Sequence, residues 1–271
     1  MLVIPTIFID LLAAFVVGGA WITLTTLIAE THGSTIGGLI GGLPSTAALS
    51  LLFIGITQSS AAAVQASTVT PLVYGFTGVF LAEYALLSKR NSFYVSLLVS
   101  LALWSVLATL VVLFGIDNFA LSLAGGIALI TASYFLMKTE VRTPSVRGAV
   151  IHYSGKQVAA RAFASGFVIA SAVALSKIGG PIFGGLFSMV PVVYTSTLVI
   201  TNKSRGKEFT RHLVMPLMLS GAMSSMVTYI PAVRYFYPTL GVLPGTLASY
   251  LVSLVAIYAV YRLTRNSRAA H

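Results

Sequence analysis

Two carboxylates, Asp10 and Glu83, fall inside strongly apolar runs of this chain, where an ionised side chain is costly and usually has a reason. Either could carry a coupling proton or cation; the plainer alternatives are hydrogen bonding near the outer interface for Asp10 and pairing with Lys89 or Arg90 for Glu83. A second feature is a doubled segment. Residues 37–44 read Gly-Gly-Leu-Ile-Gly-Gly-Leu-Pro and residues 184–191 read Gly-Gly-Leu-Phe-Ser-Met-Val-Pro, each followed by hydroxyls: Ser45 and Thr46, then Tyr194, Thr195, Ser196 and Thr197. A proline inside a helix frees the carbonyl four residues earlier, here those of Ile40 and Phe187, and a freed carbonyl in hydrocarbon must find a partner or line a cavity. Gly41, Pro44 and Thr46 with Gly184, Pro191 and Thr195 therefore form a candidate broken-helix site for a small solute. The bland reading of the same glycines, four apart at Gly33, Gly37 and Gly41 and again at Gly180 and Gly184, is close packing of helix on helix.

A third cluster, Lys203-Ser-Arg-Gly-Lys-Glu-Phe-Thr-Arg-His212, could grip a phosphate or lipid headgroup through Lys203, Arg205 and Arg211. Its alternative is a solvated loop that sets topology. Other chemistry is missing from the sequence. The four histidines, His32, His152, His212 and His271, have no metal-ligand spacing, and there is no cysteine. Neither a Gly-x4-Gly-Lys-Ser/Thr phosphate loop nor a Gly-x-Ser-x-Gly elbow occurs. The expectation is a protein without cofactor or metal, and not an enzyme.

The elements that must position these residues are set by composition. With 57% hydrophobic and 8% charged residues and a mean hydropathy of +0.94, the chain has too little polar surface for a water-soluble globule. Crossing about 30 Å of hydrocarbon takes about 20 apolar residues as helix. Nine such runs occur, at 3–28, 35–57, 67–88, 92–115, 118–137, 157–176, 181–201, 213–233 and 240–262. The first lacks a basic leader and is too long for a signal-peptide core, so it is read as a retained span. With the N-terminus outside and the C-terminus in the cytoplasm, every one of the 16 basic residues except Lys177 and Arg234 falls on the cytoplasmic side. The net charge of +10 is thus topological. Its natural partners are anionic headgroups of the cytoplasmic leaflet, and no nucleic-acid recognition motif accompanies it.

The doubling extends beyond the glycine segment at one constant spacing, pairing Gly19 with Gly166, Ile22 with Ile169, Glu30 with Lys177, Gly33 with Gly180 and Leu51 with Leu198. After a two-residue slip it pairs Pro71 with Pro216 and Tyr84 with Tyr229. Five spans separate the starts of the copies, so the second is inverted. The expected layout is a first four-helix repeat at 1–115, a linker helix and cytoplasmic loop at 116–148, a second repeat at 149–263 and a tail at 264–271. Inverted repeats of this kind occur in secondary transporters, whose site lies between the halves. An ion channel and a lipid-handling membrane enzyme or accessory protein acting on a phosphate-bearing headgroup are the alternatives, and self-association into a homo-oligomer is compatible with all three.

The stretch holding Gly-Gly-Leu at 184–186, Pro191, Arg205-Gly206 with Glu208 and Arg211, and the aromatic-ended helix reaching Tyr229 resembles the small four-helix GlpM-like inner-membrane proteins. Each half has about the length of one such protein. In the first half Gln58-Ser-Ser-Ala-Ala carries none of the charged residues of that turn. The resemblance implies a duplicated membrane unit and no substrate. The sequence therefore predicts an all-α integral membrane protein of the cytoplasmic membrane, nine spans in two inverted four-helix repeats joined by a linker helix.

Overall fold

A computed structural model describes residues 6–31, 44–140 and 154–269. Every regular element among them is helical. In chain order these are α1 (Thr6–Thr31), α2 (Ser45–Thr57), α3 (Ser60–Ala66), α4 (Thr70–Leu87), α5 (Phe93–Leu113), α6 (Phe119–Glu140), α7 (Gly155–Gly179), α8 (Pro181–Ser188) and α9 (Val192–Gly221). A π-helical segment (Ala222–Tyr229), α10 (Ile230–Leu240) and α11 (Val242–Ala269) follow. Among the described residues seven stretches are long and apolar enough to cross a membrane. The architecture is that of a multi-pass helical membrane protein.

The α3–α4 stretch is the innermost, with 78% of its most apolar window buried against 22% in α6 and in α11. Val73, Tyr74, Phe80, Leu81 and Tyr84 of α4 are enclosed on all sides. Leu98 and Leu113 on α5, Leu121 on α6 and Leu247, Leu251 and Val255 on α11 face outward, as apolar side chains do where the solvent is lipid.

One of the seven stretches, Pro181–Leu240, has 60 residues and would be about 90 Å long as a straight helix, three bilayer cores. It is broken at Gly206, whose φ of 84° and ψ of 172° lie where only glycine sits without strain. The chain folds back there. The Tyr74 hydroxyl bonds both to Tyr194, twelve residues before Gly206, and to the Met218 carbonyl, twelve residues after it, so the two arms of α9 form a hairpin. This corrects the expectation of a loop at 203–212: the stretch is helical on both sides of a one-residue corner. Ser204 Oγ and Thr210 Oγ1 donate to the Ile200 and Gly206 carbonyls beside it. The Lys207 ammonium then ties the corner to the Asn91 carbonyl, just past the end of α4.

α1 and α7 are packed at glycine. A Cβ on Gly166 would lie 2.5 Å from the Phe15 carbonyl oxygen, and one on Gly19 would lie 3.1 Å from that of Ala162. Phe15 also meets Phe163 edge to face, ring centroids 5.4 Å apart. α7 begins with a capping box in which Ser154 and Gln157 satisfy each other's backbone N–H groups. It ends at Gly180 (φ 96°), where the chain turns and α8 packs back on α7.

Candidate functional site

Two interrupted helices meet inside this bundle. α8 stops at Ser188 and α9 starts after Pro191, with Met189-Val190-Pro191 between them. α3 stops at Ala66 and α4 starts at Thr70. The short segments touch backbone to backbone: a Cβ on Gly185 would fall 1.8 Å from the Ala66 carbonyl oxygen. Only a residue without a side chain lets α8 lie this close to the end of α3. The interruption of α8–α9 falls where the sequence expects it. That of α3–α4 was not anticipated, because the span expected at 67–88 leaves out α3. Its signal is Ser59, whose hydroxyl accepts from the Ala62 N–H and starts a separate helix.

Pro191 does not sit inside a helix. It is the N-cap of α9, its carbonyl accepting from the Thr195 N–H at 2.8 Å. The Phe187 carbonyl is consequently not left free but accepts from the Val190 N–H at 3.1 Å in the turn that closes α8. Pro44 plays the same part for α2, accepting from Ala48 at 2.8 Å with closely similar backbone angles (φ −75°, ψ 56° against φ −77°, ψ 43°). Gly41 and Ile40 lie outside the described residues.

The other expected site residues are placed as follows. Gly184 packs on the Ala172 carbonyl and Ser176 of α7 and on Ile54 of α2, so α2 and α8 are neighbours. Thr46 is half-buried in the first turn of α2. Thr195 Oγ1 is buried with no hydrogen-bond partner, and no hydrogen bond joins the two threonines. Around the interruptions lies a polar belt. Gln58 exchanges hydrogen bonds with Ser176 at 2.9 and 3.3 Å, Arg161 Nη1 donates to Thr197 at 3.2 Å, and Tyr74 and Tyr194 share a 2.7 Å bond. Tyr74 donates its single proton to the Met218 carbonyl at 3.1 Å, so Tyr194 is the donor to Tyr74. Gly221 makes room for this pair, since a Cβ there would be 2.1 Å from one hydroxyl and 2.2 Å from the other.

Arg234 was not singled out, because charge sorting puts it in an outer loop. It lies within α10, and its Nη1 donates to the Val64 carbonyl (2.8 Å), Thr68 Oγ1 (3.0 Å) and Ser67 Oγ (3.2 Å) at the α3–α4 interruption. The legible signal was a cation so close to the end of an apolar run.

Asp10 pairs with Lys177 at 2.5 Å, joining the start of α1 to the end of α7. Both side chains are less than a third exposed, 31% and 19%. Removing one partner, as in Asp10→Asn or Lys177→Gln, is expected to cost about 1 kcal/mol in detergent unfolding. The double reversal Asp10→Lys with Lys177→Asp should restore most of it; a reversal no better than either single variant would exclude the pair as a tie. Glu83 keeps one carboxylate oxygen, Oε2, buried without a hydrogen-bond partner. Lys203 and Arg205 are exposed, Arg205 lying over the Phe209 ring at 6.0 Å, while Arg211 pairs with Glu208 at 3.1 Å. Among the described residues no three His, Asp or Glu side chains gather as metal ligands. Comparison with protein-family models, with curated proteins and with solved structures finds no match, and the site itself is the guide to function.

Proposed function

We propose that this protein is a secondary transporter of the cytoplasmic membrane, nine spans in two inverted halves, moving a small solute by alternating access past the α3–α4 and α8–α9 interruptions. The observation that carries the reading is the meeting of two interrupted helices, α3–α4 and α8–α9, at Ala66 and Gly185, and the α1–α7 crossing is compatible with it. Gly19 and Gly166 are repeat partners, and at the same spacing so are Phe15 and Ala162; Gly19 meets Ala162 while Gly166 meets Phe15. These contacts make α1 and α7 antiparallel neighbours, the relation that an inverted second copy requires of the first helices of the two halves. The matched N-cap roles of Pro44 and Pro191 support the same relation. So do the long-range contacts: Asp10 with Lys177 and Thr68 with Arg234 join residues that charge sorting assigns to the outside, and Asn91 with Lys207 joins two assigned to the cytoplasm.

Interrupted helices side by side expose backbone and hydroxyl groups that a packed helix would hide, which is how many carriers hold a solute. Thr195, with its unpartnered buried hydroxyl, belongs to that site in this reading. Exchange of conformation between the two halves would open it first to one face and then to the other.

The absence of native cysteine makes the test clean. Thr195→Cys in sealed, oriented vesicles should react with a membrane-impermeant maleimide added from either face, and blocking one face's access should reduce labelling from that side only. Labelling from a single face under all conditions, or from neither, would overturn alternating access through this site.

A further inference from the structure

The donors of Arg234 are only partly spent. Its Nη1 serves all three acceptors, Val64, Ser67 and Thr68, with two protons, one of them shared. Its guanidinium lies over the ring of Phe119, the first residue of α6, with the guanidinium carbon 4.2 Å from the ring centroid. Among the described residues no partner engages Nε or Nη2, and neither atom is sealed in the interior. No carboxylate among the described residues lies within ion-pair distance.

Each part of this arrangement limits what the residue is for. Closing the end of α3 needs a single cationic donor at the Val64 carbonyl, which a lysine ammonium could supply. It does not need a planar fork, an aromatic ring against that fork, or a second edge left open. The Nε–Nη2 edge presents two parallel N–H groups in the geometry that takes a carboxylate or phosphate bidentately. Anchoring one nitrogen to the backbone and laying the group over Phe119 fixes the direction of that edge, so its rotamer entropy is spent in folding and not in binding. A cation here without a counter-charge gains most from an anion that arrives and leaves.

We infer that Arg234 is an oxyanion receptor at the α3–α4 interruption, and that the group it takes is the carboxylate or phosphate of a small anionic solute. This rests on the transport reading for its role as a substrate contact, though not for its chemistry. Phe119 is the positioning residue, acting through its contact with the guanidinium.

The test uses the purified full chain in detergent, with thermal stability read against inorganic phosphate, lactate and chloride at matched ionic strength, and separately against phosphatidylglycerol. Phosphate or lactate should raise the melting temperature above the chloride control. Arg234→Lys, which keeps a cation for the α3 carbonyl, should melt like the parent without ligand but bind the oxyanion about tenfold more weakly or worse. Arg234→Gln should abolish the effect, and Phe119→Leu should weaken it. Stabilisation by phosphatidylglycerol alone, lost in Arg234→Gln, keeps the oxyanion receptor but assigns it to a headgroup, overturning the soluble solute. Failure of every oxyanion to stabilise the parent, or full stabilisation of Arg234→Lys, overturns the receptor. One-sided labelling of Thr195→Cys with oxyanion binding intact would remove the transport reading alone.

Discussion

Replacing Gly185 by alanine should destabilise the protein by about 3 kcal/mol, the upper end for overpacking, or prevent it from folding. The new methyl would fall 1.8 Å from the Ala66 carbonyl oxygen and 2.7 Å from its carbon. Those atoms are main chain at the end of α3, and they cannot swing aside as a side-chain tip can. Relief requires α8 to move away from α3, which would also disturb the neighbouring Gly184 contacts with Ser176 and Ile54. Gly155→Ala is the control: it opens α7, and a Cβ there meets nothing within 4 Å. Alanine costs less backbone entropy in a helix, so the control should be neutral or gain up to about 1 kcal/mol. The measurement is the midpoint of thermal or denaturant unfolding in one detergent. Equal midpoints for the two variants would mean that α8 and α3 are not in backbone contact.

Gly221→Ala should be the next most damaging, at about 2 kcal/mol, through polar groups and not through backbone. Its methyl would overlap the Tyr194 and Tyr74 hydroxyls, so the 2.7 Å bond between them and the 3.1 Å bond to the Met218 carbonyl must open. The surrounding groups are buried, and each unmade bond then carries its desolvation cost. Because the hydroxyls cause the damage, deleting one should relieve it. Tyr194→Phe removes the donor to Tyr74 but leaves the Tyr74 bond to Met218 standing, a loss of about 1 kcal/mol alone. Combined with Gly221→Ala it should cost clearly less than the sum, with a coupling of about 1 kcal/mol in the double-mutant cycle. Additivity would place the two side chains out of contact. Under the proposed transport role the single Gly221→Ala variant should also slow uptake, since it occupies the polar centre.

Fold class was written into the apolar runs, and the α8–α9 interruption into Pro191. Three features were not, each for a physical reason. The hairpin at Gly206 looks like a loop because its flanks are charged; that one glycine with positive φ replaces a loop is a backbone property with no composition signal. The α3–α4 interruption is hidden because its one mark, Pro71 in the first turn of α4, reads equally well as the start of the span expected at 67–88. Pairings such as Asp10 with Lys177, or Arg234 with Thr68, join positions far apart in the chain, and a single sequence carries no measure of such proximity. The candidate site was therefore half legible. Pro191, Gly184 and Thr195 were found from the repeat, whereas Tyr74, Gly185, Gly221 and Arg234 emerge only once the helices are packed.

The α1–α7 crossing also speaks to origins. In the proposed layout these two helices are copies in contact, as the subunits of a self-complementary homodimer are before they share a chain. Under the proposed inversion the ancestor would have been a single unit able to insert into the membrane either way round. Fusing two copies head to tail forces the second to enter in the same direction as the first, unless one additional crossing intervenes. In the proposed layout α6 would be that crossing. With orientations fixed by covalent order, two such copies would be free to diverge, one holding Asp10 where the other has Gln157 and Lys177 where the other has Glu30.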